Sequence, residues 1–127
     1  MGLAAAAIAK GYGAWVGATT RNPERGPLLR RNGADQVFVD GGSIAEAVRR
    51  VFPDGVDKVL ELVGTVSLLD SLRSAKEGGI VCKTGVVGNK WGFDEFRPME
   101  AIPTAVCLMV YGGDAEDFMR TPARLWC

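Results

Sequence analysis

Histidine is absent from the chain. That removes the side chain most often used as a general acid or base near neutral pH, and a leading zinc ligand with it. Only three cysteines are present, Cys82, Cys107 and Cys127, far apart in 127 residues and without a Cys-x-x-Cys pair. A metal site is therefore not expected, and the cysteines are expected to be the reduced thiols of a cytoplasmic protein. Cys82 and Cys107 lie in apolar runs and are read as small core residues, whereas terminal Cys127 is read as exposed. No serine or cysteine has a base in a plausible relation to it, so no catalytic residue is assigned. Charge of one sign is not in excess either, with 15 basic and 15 acidic residues. Without a basic surplus a nucleic-acid partner is not expected. Long hydrophobic runs are also wanting. The apolar stretch from Leu3 to Ala9 falls far short of the roughly 18 residues that a membrane span requires, and no cationic segment precedes it as in a secretory leader. It is read as a buried helix, with no membrane partner.

What the chain does contain is 47% hydrophobic residues broken by 17 glycines, enough for one globular domain over residues 1–127. Helical and strand patterns alternate. After the helix at residues 2–10 and a Gly11-Tyr12-Gly13 turn, Trp15 to Thr19 reads as a strand covered on both faces. Asn22-Pro23 starts a helix running to Asn32, with a kink or restart expected at Pro27, since an interior proline costs about 3 kcal/mol. Gln36–Val39 is the next strand. Ser43-Ile44-Ala45-Glu46 has the form of a capping box for a helix ending before Pro53. Val56–Val63 is a strand, Thr65 caps a helix that stops at Glu77-Gly78-Gly79, and Ile80–Lys83 is a strand leaving through Thr84–Gly88. Residues 89–103 lose the pattern, though Trp91, Phe93, Phe96 and Met99 are expected to be buried. Ala105–Val110 is a last strand, and a short helix is expected from Asp114 to about Met119. Strands alternating with helices argue a parallel α/β sheet.

The first twenty-one residues organise the rest. A helix opened by Gly2, a glycine turn and a strand ending in Thr19-Thr20-Arg21 form the back half of a dinucleotide-binding βαβ unit. The separation of Gly2 from Thr20 matches its spacing of about 20 residues. In such a unit the pyrophosphate rests on the helix N-terminus, here Gly2 and Leu3. The second strand's tip meets the adenosine ribose, here Thr19, Thr20 and Arg21. An NAD-selective tip carries a carboxylate, whereas this one is uncharged and followed by a guanidinium suited to a 2′-phosphate. The same tip disfavours a methyltransferase-type adenosine site.

The runs Gly2-Leu-Ala-Ala-Ala-Ala-Ile-Ala-Lys10, Ala18-Thr-Thr-Arg-Asn-Pro-Glu-Arg25, Asn32-Gly-Ala-Asp35, Gly55-Val-Asp-Lys-Val-Leu-Glu-Leu-Val-Gly64 and Gly78-Gly-Ile-Val-Cys-Lys-Thr-Gly85 together resemble the zinc-independent quinone oxidoreductase branch of the medium-chain dehydrogenase/reductases. The resemblance implies a Rossmann-like parallel sheet of about five strands with flanking helices, lacking the usual first strand. It also implies a cofactor domain separated from its catalytic domain, which nothing in this chain matches. Val63, Gly64, Val86, Val87 and Gly88 would line the nicotinamide. Gly26-Pro27 departs from the family pattern, which has ordinary helix formers there.

The expected function is that of a truncated NADPH-binding domain of a quinone or enone oxidoreductase, binding weakly and inactive alone. The alternative is a non-catalytic α/β module for self-association or partner binding. In the family the absent strand lies between those at residues 14–19 and 56–63. Either these two pair directly or a homodimer covers their open edges.

Overall fold

A computed structural model describes residues 2–112. The expected helix from Asp114 to Met119, and Cys127, lie outside the described residues. Helix α1 spans Gly2–Gly11 and strand β1 Gly17–Thr20. Alanine gives α1 its helical propensity, but within it only Ala6 is buried and Ile8 is 61% exposed. The expected buried helix is thus a surface helix, because alanine offers little apolar area to draw it inward. Asp35 ties it to the sheet: Lys10 Nζ donates to Oδ1 at 2.6 Å and the Val16 amide to Oδ2 at 2.8 Å.

Strand β2, Gln36–Val39, pairs in parallel with β1 from Gly17↔Gln36 to Thr20↔Val39. Gly17 and Thr19 are exposed while Ala18 and Thr20 are half-buried. The expectation that both faces of this strand are covered is therefore corrected: none of its four residues is buried, although Phe38 beside Thr19 on β2 is. Between the strands, Asn22 Oδ1 accepts the Glu24 amide at 2.9 Å and opens a 3₁₀ turn, Pro23–Arg25, after which helix α2 starts afresh at Gly26–Arg31. The restart follows from Pro27, which has no amide to continue the first turn.

Helix α3, Ile44–Val51, follows the turn after Asp40. Its cap is not the expected one, since Ser43 makes no side-chain capping bond. Asp70 supplies the acceptor instead, and a carboxylate held at a helix N-terminus is a stronger one than a hydroxyl. Strand β3 is Val56–Glu61, helix α4 Thr65–Ser74 and strand β4 Ala75–Lys83. The helix expected to reach Glu77 ends earlier because Ala75 is already extended and pairs with Val56. The residues between Ala75 and Ile80 then bulge, since Lys58 pairs with Ile80. A single turn, α5 at Pro98–Ala101, precedes strand β5, Cys107–Val110.

The five strands are all parallel and form two sheets, β2-β1 and β3-β4-β5, rather than one. Direct pairing of β1 with β3 does not occur. The two halves are joined through α3 on α4, where Arg49 donates to the carbonyls of Arg73 at 3.0 Å and Ala75 at 3.1 Å, as well as to that of Pro53 just past the end of its own helix. These bonds fix the relation of the halves without any strand-to-strand bond between them. The core lies between α4 and the three-stranded sheet: Leu68, Leu72, Ala75, Val81 and Val106 are buried, with Val59, Leu69, Phe93, Ile102 and Leu108 packed around them. Of the four large residues expected inside, Phe93 alone reaches this core. Trp91, Phe96 and Met99 are exposed, Met99 at 96%, because the segment runs over the surface with only one helical turn of its own. Cys107 is likewise exposed on the edge strand rather than a core residue, and Cys82 is half-buried.

Candidate functional site

Parallel strands end together, and in α/β sheets their carboxyl ends collect ligands. Glu61 and Lys83 close β3 and β4 in register, so the turns that follow start level. They are then stitched together: Thr84, Val87 and Gly88 donate their amides to the carbonyls of Glu61, Leu62 and Val63 at 2.9, 3.2 and 2.7 Å. The Val63-Gly64 and Val86-Val87-Gly88 groups, separate in sequence, are thereby one surface. Glycine is required where they meet. Gly64 has φ 118°, and a Cβ there would sit 3.0 Å from the Lys90 carbonyl oxygen. A Cβ at Gly85 would run into the backbone of Leu62. Val87 and Trp91 leave apolar side chains exposed nearby in the chain.

The first helix reaches the same place. Gly2 is exposed at its start, half-buried Leu3 follows, and the Cβ direction of Gly2 points to Leu62 Cδ1 at 3.7 Å. The amides of a first helical turn have no partners within their helix, so α1 brings its donors beside the turn after β3.

Thr19, Thr20 and Arg21 lie at the end of β1, on the other sheet. Thr19 is exposed. The Thr20 hydroxyl is not free as the sequence reading supposed: it accepts the Asn22 amide and donates to the Asn22 carbonyl, both at 3.1 Å. The tight turn into Pro23 consumes it. Arg21 is exposed and makes no hydrogen bond or ion pair among the described residues. Asp40, at the end of neighbouring β2, is engaged with the Gly42 amide at 2.9 Å.

The residue that sequence reasoning missed is Glu61. It is 3% exposed, yet among the described residues it makes no ion pair. Its Oε1 accepts the amides of Val63 at 2.6 Å and Gly64 at 2.9 Å, and the Ser67 hydroxyl at 3.0 Å. Oε2 takes Ser67 at 3.0 Å and Ser71 at 2.5 Å. The available signal was the pair Ser67 and Ser71, one helical turn apart on the helix after the strand that ends in Glu61. Thr65, read as that helix's cap, instead donates its hydroxyl to the carbonyls of Lys90 at 3.0 Å and Gly92 at 3.2 Å.

Burial pushes the Cys82 thiol above its usual pKa, so it is no thiolate at neutral pH. Among the described residues no three His, Cys, Asp or Glu side chains converge as a zinc set requires. No helix among them is long and apolar enough to cross a membrane.

Comparison with known proteins places these features. The family model described as zinc-binding dehydrogenase matches residues 1–121. The quinone oxidoreductase of Pongo abelii is 29% identical over 98% of this chain and 38% of its own length. The crystal structure of AibC superposes with a TM-score of 0.76 at 31% identity, covering 86% of this chain and 30% of that one. A mycobacterial protein complexed with NADPH superposes with the same TM-score at 24% identity, covering 87% and 35%. The chain spans 38% of the length of the curated relatives it matches.

Proposed function

The chain belongs to the zinc-binding dehydrogenase family, as a quinone oxidoreductase-like cofactor-binding domain, and from that premise we propose that it binds NADPH with a preference over NADH. The observation that carries this reading is the meeting of the α1 start, the Val63-Gly64 turn and the Val86–Gly88 turn at the carboxyl ends of parallel strands, with Arg21 at the tip of β1 making no hydrogen bond or ion pair among the described residues. Gly2 and Leu3 would hold the pyrophosphate, Thr19 and Arg21 the phosphorylated ribose, and Val63, Gly64, Val86, Val87 and Gly88 the nicotinamide. Thr20 would act by shaping the turn that presents Arg21, since its hydroxyl is occupied. Despite the family's name, the described residues offer no zinc set, so the reading invokes no metal.

Bound there, the cofactor would supply a hydride, and the residues of this chain would orient it. A quinone or enone as acceptor is the proposal that the relatives' names support. The chain spans 38% of the length of those relatives, and by itself it is proposed to bind the cofactor weakly and to be inactive. We place it in the cytoplasm and expect a homodimer, because β1 and β3 each pair on one edge only among the described residues.

Calorimetric titration with NADPH and NADH tests the assignment. A charge-assisted bond from Arg21 to the 2′-phosphate is worth about 1.5–3 kcal/mol, a roughly tenfold to hundredfold preference for NADPH. Arg21→Ala should remove that preference and leave NADH binding unchanged. Equal binding of both cofactors by the unmutated chain would sink the assignment of Arg21, and binding of neither would favour a non-catalytic module for self-association.

A further inference from the structure

We propose that Glu61 is a positioning residue for the nicotinamide end of the cofactor, acting through the Val63-Gly64 turn; this rests on the cofactor-domain reading above. Burying a carboxylate is expensive, and the usual compensation is a cation. Glu61 makes no ion pair among the described residues, and four donors hold it instead: the amides of Val63 and Gly64 and the hydroxyls of Ser67 and Ser71. Every one belongs to the turn after β3 or to the helix that follows it. The carboxylate therefore joins three things that would otherwise move separately: the end of the strand, the turn, and the first turns of α4.

The consequence reaches the surface. With the amides of Val63 and Gly64 drawn inward onto Glu61, they are not available to a ligand. The carbonyls of Leu62 and Val63 accept the amides of Val87 and Gly88, so the Val86–Gly88 turn is aligned from the first. Gly64, at φ 118°, takes a conformation most residues avoid, and the bond from its amide to Glu61 holds it there. A residue needed only to fill the core would be apolar, as Leu68 and Leu72 on α4 are. The serine pair on α4 makes the site specific for a carboxylate of this length.

The test compares two probes: NADPH, which spans the whole site, and adenosine 2′,5′-bisphosphate, which reaches only the β1 tip. Glu61→Ala should weaken NADPH by about tenfold or more and leave the bisphosphate unchanged. Glu61→Gln, whose amide can still accept from the turn and donate to the serines, should restore most of the loss. Should Glu61→Ala fail to fold, Ser67→Ala removes the hydroxyl shared by both carboxylate oxygens and should show the same selectivity in smaller measure. Equal losses for both probes, or no loss for either, would overturn the proposal. If the unmutated chain binds neither probe, the cofactor reading fails separately, and hydrogen exchange then decides the role of Glu61. Faster exchange in Ser67→Ala confined to the Val63 and Gly64 amides upholds the turn-holding role, and unchanged exchange overturns it.

Discussion

Asp70 on α4 accepts the backbone amide of Ile44 at 2.6 Å, and with the same Oδ2 that of Ala45 at 3.1 Å, so that one helix caps another across 26 residues of sequence. The bond also fastens the two-stranded half of the molecule to the three-stranded half. Asp70→Ala should cost about 1–2 kcal/mol in chemical unfolding, the upper part of the range for a lost N-cap. Ser43→Ala, at the residue whose sequence position suggests the cap, should change stability by no more than about 0.5 kcal/mol. The reverse order would show that the serine caps the helix in solution.

Acid should loosen α1 from the sheet. The Lys10 ammonium bonded to Asp35, and then the Val16 amide, hold the Asp35 carboxyl below its ordinary pKa. A carboxylate lowered in the folded state contributes stability above its unfolded pKa of about 4, and loses it as the pH falls through the folded value. Asp35→Asn should therefore be less stable than the unmutated chain at pH 7, and the gap should close as the pH drops below 4. A gap that persisted unchanged in acid would assign the effect to something other than ionisation.

The core and the surface segment should respond oppositely to truncation. Leu72 is completely buried between α4 and the larger sheet, and Leu72→Ala should cost about 2–5 kcal/mol through lost burial and the cavity left behind. Met99, with 96% of its surface in solvent, should tolerate alanine within about 0.5 kcal/mol. Denaturant melts of both variants check the pair, and a large loss at Met99 would place that side chain against a partner in solution.

The edges of β1 and β3 that no strand pairs among the described residues should drive association. Light scattering over a range of concentrations is expected to show a dimer. A monomer at every concentration would remove the homodimer from the proposal.

The sequence pattern located most elements because local chemistry decides them. Asn22 with Pro23 opens a turn, Pro27 forces a restart, and alternation of apolar runs with glycine marks parallel strands between helices. The resemblance carried by the glycine-bearing turns assigned the family. Pattern failed where a local group had a stronger distant competitor. Ser43 and Thr65 have capping residues' chemistry, but Asp70 serves the one helix and the carbonyls of Lys90 and Gly92 take the other hydroxyl.

Residue types alone determined that these 127 residues contain no histidine, that charge is balanced, and that a short Thr-Thr-Arg tip stands at the right spacing from Gly2. Only the tertiary structure decided that five parallel strands divide into two sheets, that Thr20 is consumed by its own turn, and that Glu61 is buried among four donors with no ion pair among the described residues. The reason is the range of the forces involved. Helix starts and turns are set within a few residues by dihedral preference and nearby donors. The partners of a buried carboxylate or of an open strand edge depend on which segments arrive beside them, and a linear pattern does not hold that information.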